Sequence, residues 1–292
     1  MTRRNRLHRR SLTGFLFICP SLAGMLVFVI APFFASVGYS FTQGVSRPEF
    51  VGFRNFLDLF GNPTYTLAVK NTLTFMGIGV PLTFFVSLAL SLVMMKGGFV
   101  WQRWSMLAPL VVPMAAVVAG WQALLGEQGI ISRLRISMGL SAINLLGEEY
   151  AMPVVIMMFL WKNLGYLAVI FTSAISTIPK EYLEAFRLES KSQVRMTFSV
   201  ILPSIAPMAF FAAIIAIMNS FKIFREIYVM YGSMPPRNIY MLQHFMNNNF
   251  FKLNYQRLAT AALLLIGALF LLILGFLQCQ RKLTKWSGGD IW

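Results

Sequence analysis

The chain predicts an all-α, polytopic membrane protein with about six transmembrane helices and both termini cytoplasmic. Three observations carry that prediction. Of its 292 residues, 57% are hydrophobic, 12% are charged and 27 are Phe, too much apolar surface for one water-soluble core. The apolar residues fall in windows long enough to cross ~30 Å of hydrocarbon, which takes roughly 20 helical residues. Lys and Arg collect in alternate connecting segments, as they do when cations are retained on the cytoplasmic side.

The first window, about 13–40, follows the basic run Arg3, Arg4, Arg6, Arg9 and Arg10. It has the outline of a signal peptide, but the apolar run exceeds an h-region of about 7–15 residues and no small-residue cleavage site follows. It is expected to stay as the first span. The second and third windows, about 68–95 and 104–125, contain Pro81, Pro109 and Pro113, tolerable where neighbouring helices re-satisfy freed backbone groups. Between them Trp101 and Trp104, beside Arg103, read as interfacial anchors. The remaining windows are about 151–177, 205–231 and 258–280. With no repeat of about 20–50 residues and no low-complexity linker, residues 1–292 are expected to form a single membrane domain. Cys19 and Cys279 sit near the cytoplasmic ends of spans and read as packing residues, not a disulfide.

Orientation follows from charge. One side holds the five N-terminal arginines, Lys96, Arg103, Lys180, Arg187, Lys191, Arg195, Arg281, Lys282 and Lys285, fourteen cations in all. The other holds Arg47, Arg54, Arg133, Arg135, Arg237, Lys252 and Arg257, which is seven. The formal charge of +15 is thereby explained by topology. A nucleic-acid partner is not indicated, because the cations are split among loops with no aromatic stacking platform between them.

The segment 178–204 is too long for a plain connector, which needs about two to eight residues. Pro179 suits a first helical turn, and Tyr182, Leu183, Ala185, Phe186 and Leu188 give Lys180 to Glu189 a broad apolar face. Ser190 stands three residues before Gln193, the spacing of a capping box, so the segment reads helix, turn, helix. Tyr182, Phe186 and Leu188 are expected to be displayed away from the bilayer, and exposed apolar surface rimmed by charge marks a docking site.

Asn219, Lys222, Arg225 and Glu226 form a polar cluster within or near the fifth window. A cation at the bilayer centre costs ~2.5–3.5 kcal/mol on insertion scales, so this cluster is either interfacial, with a local Lys222 to Glu226 ion pair at four-residue spacing, or part of a solute path or outer gate. Asn163 and Gln122 are further side chains able to meet solute hydroxyls. The segment Ile239 to Phe251, with three consecutive Asn, reads as a helix lying on the outer membrane surface or as a landing surface for an extracellular binding protein. Asp58, Glu127, Glu148 and Glu149 read as solvated loop charges. No catalytic residues are proposed: the sequence holds no G-x-x-x-x-G-K-[ST] phosphate cradle, no metal-ligand spacing, and only His8 and His244, both outside the spans. A self-sufficient secondary transporter or channel is the alternative to a partnered one, but it predicts buried carboxylates or unwound helices in repeated halves.

Glu184, Ala185 and Phe186, then Ser190, then Val200, Leu202 and Pro203 stand at the spacing Glu-Ala-Ala, three residues, Gly, nine residues, Ile-x-Leu-Pro. On that spacing the segment resembles the EAA loop of the integral membrane subunits of binding-protein-dependent ABC importers. Phe186 takes the place of the second Ala and Ser190 that of the Gly, which adopts a left-handed turn conformation at less cost than Ser190 does. The stretches CPSLAGMLVFVIAPFFASVGYSFT from Cys19, FVGFRNFLDLF from Phe50, KNTLTF from Lys70, LAPLVVP from Leu107, WKNLGY from Trp161 and FREIYVMYG from Phe224 extend the resemblance to the carbohydrate-uptake branch, the maltose-permease or glycerol-phosphate-permease type. The pairing of the first span with FVGFRNF resembles the first of the two permeases in such systems.

That resemblance implies a multi-pass protein of the bacterial cytoplasmic membrane that performs no covalent chemistry and carries a sugar, an oligosaccharide or a related polar solute. It implies a coupling helix seated in a cytoplasmic ATPase, with Glu184 and Ala185 as contacts and Phe186, Arg187, Ser190, Leu202 and Pro203 in the same loop. The implied partners are a second permease forming a heterodimer, two ABC ATPase subunits and an extracytoplasmic solute-binding protein, besides membrane lipid. No cofactor or metal is expected on this chain, and ATP is used by the partner subunits.

Overall fold

The structure, a computed structural model, describes residues 15, 17–44, 47–95 and 105–286. The helices in chain order are Phe17–Phe41 (α1), Arg54–Phe60 (α2), Pro63–Met94 (α3), Ala108–Val111 (α4), Met114–Leu125 (α5), Ile130–Ser137 (α6), Ala151–Ile175 (α7), Lys180–Glu189 (α8), Gln193–Met196 (α9), Leu202–Ser204 (α10), Ala206–Lys222 (α11), Phe224–Tyr231 (α12), Leu242–Phe251 (α13) and Tyr255–Trp286 (α14). Two two-residue strands, Thr42–Gln43 and Glu49–Phe50, pair antiparallel.

Among the described residues five helical stretches are long and apolar enough to cross a membrane: α1, α3, α7, α11 with α12, and Tyr255–Arg281. The window 104–125, expected as one span, is instead broken into α4 and α5. Val112 is extended at φ −66° and ψ 128°, and Pro113 caps α5. The proline ring disfavours the helical region for the residue before it and supplies no N–H for the helical ladder; α3 absorbs Pro81 within one helix, whereas at Pro113 the chain breaks at an extended Val112. Trp101, Arg103 and Trp104, and the orientation cations at positions 3–10 and 96, lie outside the described residues.

By backbone contacts the chain divides into two compact units, residues 1–62 with 249–267 and residues 63–248 with 268–292. In the first, Asn55 holds α2 to the end of α1 by donating its amide to the carbonyls of Ser40 at 3.0 Å and Thr42 at 2.9 Å. Phe41 packs on the rings of Phe50, Phe53 and Phe56. Along α1, Phe17 is 83% and Phe28 80% exposed, the surface expected of a helix solvated by lipid.

In the second unit α3, α7 and α11 pack together around Phe75, Phe159, Leu167 and Phe171, all fully buried. Ring pairs Phe75–Phe159 and Phe84–Phe171 meet edge to face at 5.3 and 5.0 Å. Lipid tails are as apolar as these side chains, so burial from water does not drive the association; close packing and interhelical hydrogen bonds do. Small residues make that possible. Ala168, Ala212 and Ala216 are fully buried, and a Cβ on Gly165 would lie 1.9 Å from the Met106 carbonyl oxygen, so only glycine lets that backbone approach α7. Ser87 of α3 donates to the Leu164 carbonyl of α7 at 3.1 Å.

Helix α13 is set into the protein along one face. Leu242, His244, Phe245 and Asn248 are buried, and only its end, Phe250 and Phe251, is exposed. The three consecutive Asn, polar in sequence, are only partly presented to the outside. Asn248 instead donates to the Ser233 carbonyl at 3.0 Å and the Tyr240 hydroxyl at 3.2 Å, which satisfies a polar group inside the protein. His244 Nδ1 accepts from the Met241 N–H at 3.2 Å, and burial pushes the imidazole down from 6.5 to about 4. A proton therefore binds the unfolded chain first. The stability contributed by neutral His244 is full above pH 6.5 and is lost as pH falls toward 4. Unfolding followed in detergent is expected to show about 2 kcal/mol less stability at pH 5 than at pH 8, with the difference largely removed in His244→Gln.

Candidate functional site

The polar segment after α7 folds as helix, turn, helix. Pro179 precedes α8 in an extended conformation, Glu181 lies in the first turn and Arg187 in the last, the arrangement that complements the helix dipole. Leu183 and Phe186 are half-buried against the main core, whereas Tyr182 is 61% and Leu188 91% exposed. Glu184, Ala185 and Arg187 are also exposed. Phe186 thus differs from expectation. It anchors α8 to the protein instead of being displayed, which explains a large apolar side chain at a position where the family pattern has alanine.

Ser190 ends α8 in extended geometry, φ −149° and ψ 135°. Any residue adopts that conformation, so glycine is not required. The capping box expected at Ser190 does not form, and a simple N-cap stands two residues later. Ser192 is the N-cap of α9, its hydroxyl accepting from the Arg195 N–H at 3.3 Å, while Ser190 Oγ accepts from the Ser192 N–H at 3.3 Å. The physical reason is that Ser190 still belongs to the last turn of α8, its own N–H donating to the Phe186 carbonyl at 2.9 Å.

Beyond α9 the helix widens into a π-turn over Thr197–Ile201, with the Leu202 N–H donating to the Thr197 carbonyl. Pro203 cannot donate to a carbonyl of the preceding turn, and a wider turn is one way a helix absorbs such a break. Leu202 and Pro203 line an apolar cavity of about 610 Å³ together with Phe84, Phe198, Phe210 and Phe276. Leu202 is half-buried and Pro203 exposed, and both belong to α10, not to α8.

The polar cluster is assembled from α7, α11 and α12. The fifth span is interrupted at Ile223, between α11 and α12, and the expected Lys222 to Glu226 pair does not form. Glu226, 2% exposed, is paired by Lys162 from α7. Lys222 turns back to donate to Asn219 Oδ1 at 2.8 Å, Asn219 donates to Asn163 Oδ1 at 2.9 Å, and Asn163 donates to the Phe159 carbonyl at 2.9 Å. Arg225 is exposed, and Gln122, on α5, is exposed and lies outside this relay. Lys162 is the residue that sequence reading missed. A lysine inside an apolar window needs a counter-charge or a route to water, and that requirement was the available signal.

Asn219, Lys222, Tyr166, Leu110, Ile215 and Met218 line a cavity of about 310 Å³. Lys222 lies in the last turn of α11, where the helix dipole contributes ~0.3–1 kcal/mol, less than the ~2.5–3.5 kcal/mol cost of a cation deep in a membrane. Lys222 is exposed, and its hydrogen-bond partner at the cavity is the neutral Asn219, so the cavity wall carries a cation without a carboxylate beside it. Among the described residues, no three His, Cys, Asp or Glu side chains come together to hold a metal.

Residues 70–279 match the family model described as binding-protein-dependent transport system inner membrane component. The probable ABC transporter permease protein YesP of Bacillus subtilis (strain 168) is 27% identical over 94% of this chain and 93% of its own length. The sn-glycerol-3-phosphate transport system permease protein UgpA of Yersinia pestis is 29% identical over 71% of this chain and 72% of its own. The crystal structure of a bacterial ABC transporter involved in the import of the acidic polysaccharide alginate contains a chain of the same fold, with a TM-score of 0.81 at 19% identity, covering 97% of this chain and 100% of that one.

Proposed function

We propose, from the premise that this chain belongs to the family of binding-protein-dependent transport system inner membrane components, that it carries a sugar, an oligosaccharide or a closely related polar solute. As a member, it is a multi-pass permease of an ABC importer in the inner membrane. Its family transports and is not a family of enzymes, and this chain is inferred to perform no covalent chemistry. The solute class is supported by the relatives, one named for sn-glycerol-3-phosphate and a structural neighbour for alginate.

The rest of the machine is inferred from the same premise: a second permease completing the pathway, two cytoplasmic ATPase subunits that consume the ATP, and an extracytoplasmic binding protein that delivers the solute. The observation that carries the mechanism is α8. It is a short amphipathic helix with Leu183 and Phe186 seated on the core and Glu184 and Ala185 facing out. A helix fixed to the spans on one side and open on the other transmits a rigid displacement, whereas a flexible loop would absorb it. Glu184 and Ala185 are the contacts; Arg187 and Ser190 border them, and Phe186, Leu202 and Pro203 act behind them as anchors. The Asn219, Lys222 and Tyr166 cavity is assigned to the solute path, with Arg225 and the Lys162–Glu226 pair bordering it.

Reconstitution of the chain with its partner subunits in vesicles tests this reading. Solute accumulation that requires ATP and the ATPase subunits is the expected result. Accumulation by this chain alone, driven by an ion gradient, would instead support the self-sufficient transporter.

A further inference from the structure

We propose that the cavity beside Lys222 receives an oxyanion of the transported solute, so that this permease carries acidic saccharides or phosphate esters in preference to neutral sugars. The inference rests on the assignment of that cavity to the solute path. It comes from counting what each lining group still has to offer.

Asn219 uses one amide hydrogen on Asn163 Oδ1 and accepts from Lys222 on its own oxygen. The relay therefore fixes the amide with its oxygen committed to the ammonium and its second N–H free. Lys222 has three N–H donors and spends one on Asn219. Tyr166 adds a hydroxyl at the cavity wall. Leu110, Ile215 and Met218 supply only apolar surface.

The unspent groups thus include two ammonium N–H and one amide N–H, against the Tyr166 hydroxyl and a second lone pair on Asn219 Oδ1 as acceptors, and the wall bears one cation and no carboxylate. Glu226, four residues on, is paired with Lys162 instead of Lys222. A neutral sugar hydroxyl must donate as well as accept, and this wall gives it few acceptors. A carboxylate or phosphate only accepts, and charge-assisted hydrogen bonds to it are roughly twice as strong as neutral ones. Arg225, three residues on and exposed, adds a second cation to the same span.

The test uses the complete importer in proteoliposomes with ATP, and paired probes: a glucuronate-containing disaccharide against its glucose counterpart, and glycerol 3-phosphate against glycerol. In wild type the acidic member of at least one pair is expected to be taken up about tenfold faster or more, and the responding pair tells carboxylate from phosphate. Lys222→Gln is expected to lower the acidic-to-neutral ratio at least tenfold, about 1.4 kcal/mol. Lys222→Arg is expected to retain the preference, which controls for insertion. The same binding protein serves both arms, so its own selectivity cancels between wild type and variant.

A wild type that carries none of the acidic probes overturns the inference. So does a Lys222→Gln variant that slows both members of a pair equally, although the cavity would then still lie on the path. If Lys222→Gln and Asn219→Ala both leave every transported probe unaffected, the assignment of the cavity to the path fails with it.

Discussion

Glu184→Lys is expected to abolish ATP-driven uptake, at least a tenfold loss, while the protein inserts and unfolds as wild type does. Glu184 is exposed on α8 and appears in no ion pair among the described residues, so its removal takes away no internal contact. Exposed substitutions of that kind change stability by about 0.5 kcal/mol or less. An interface is different. A reversed charge set against a complementary partner surface costs several kcal/mol, and loss of docking leaves the ATPase turning over without moving the spans. The paired observations are uptake and thermal unfolding of the same preparation. Lost uptake at unchanged stability locates the defect outside this chain's own fold. A parallel loss of both would mean that α8 is a structural element only. Phe186→Ala supplies the contrast: it unseats α8 from the core, so uptake and local stability are expected to fall together.

The Lys162–Glu226 pair should give the largest change in stability. Removing one partner of a buried pair leaves an uncompensated charge and costs roughly 3–5 kcal/mol. Glu226 is 2% exposed, whereas the Lys162 side chain is 28% exposed. Truncating Lys162 therefore strands the more buried group. Lys162→Ala is expected to lower the unfolding temperature in detergent by roughly 10 °C. The double variant Lys162→Met with Glu226→Leu is expected to recover most of that loss, because well-packed apolar replacements of a buried pair are often neutral. A double variant no better than the single one would show that the pair holds something besides its own charges together.

Much of the architecture was legible because the property that specifies a membrane helix, length times apolarity, is local. Five long helices were found within a few residues of the windows that composition alone marks out. The failure at 104–125 has the same origin. Apolarity persists through Pro113, and the window divides at the extended Val112 before that proline, although α3 carries Pro81 without a break. The coupling segment was legible as a helix pair because its apolar face, turn and caps are also local. The roles of individual residues within it were not. Whether Phe186 points in or out, and whether Ser190 or Ser192 caps, depends on where α8 ends and on the core it meets. The polar cluster shows the limit more sharply. Its members were found by type, but Lys222 and Glu226 were paired by spacing when each had a better partner in space. For Glu226 that partner is on α7, 64 residues earlier in the chain. Helix α13 shows a related limit: three adjacent Asn are polar in sequence, yet Asn248 is buried with its hydrogen bonds made internally.

A photo-crosslinking residue in place of Ala185, in the assembled importer, asks whether α8 touches the ATPase. Irradiation is expected to give an adduct with the ATPase subunit, mapped by mass spectrometry, and the same residue at Glu148, an exposed position on the opposite side by the charge pattern, is expected to give none. Adducts at position 185 only to lipid or to the second permease, in a complex that still hydrolyses ATP, would contradict the role assigned to this helix.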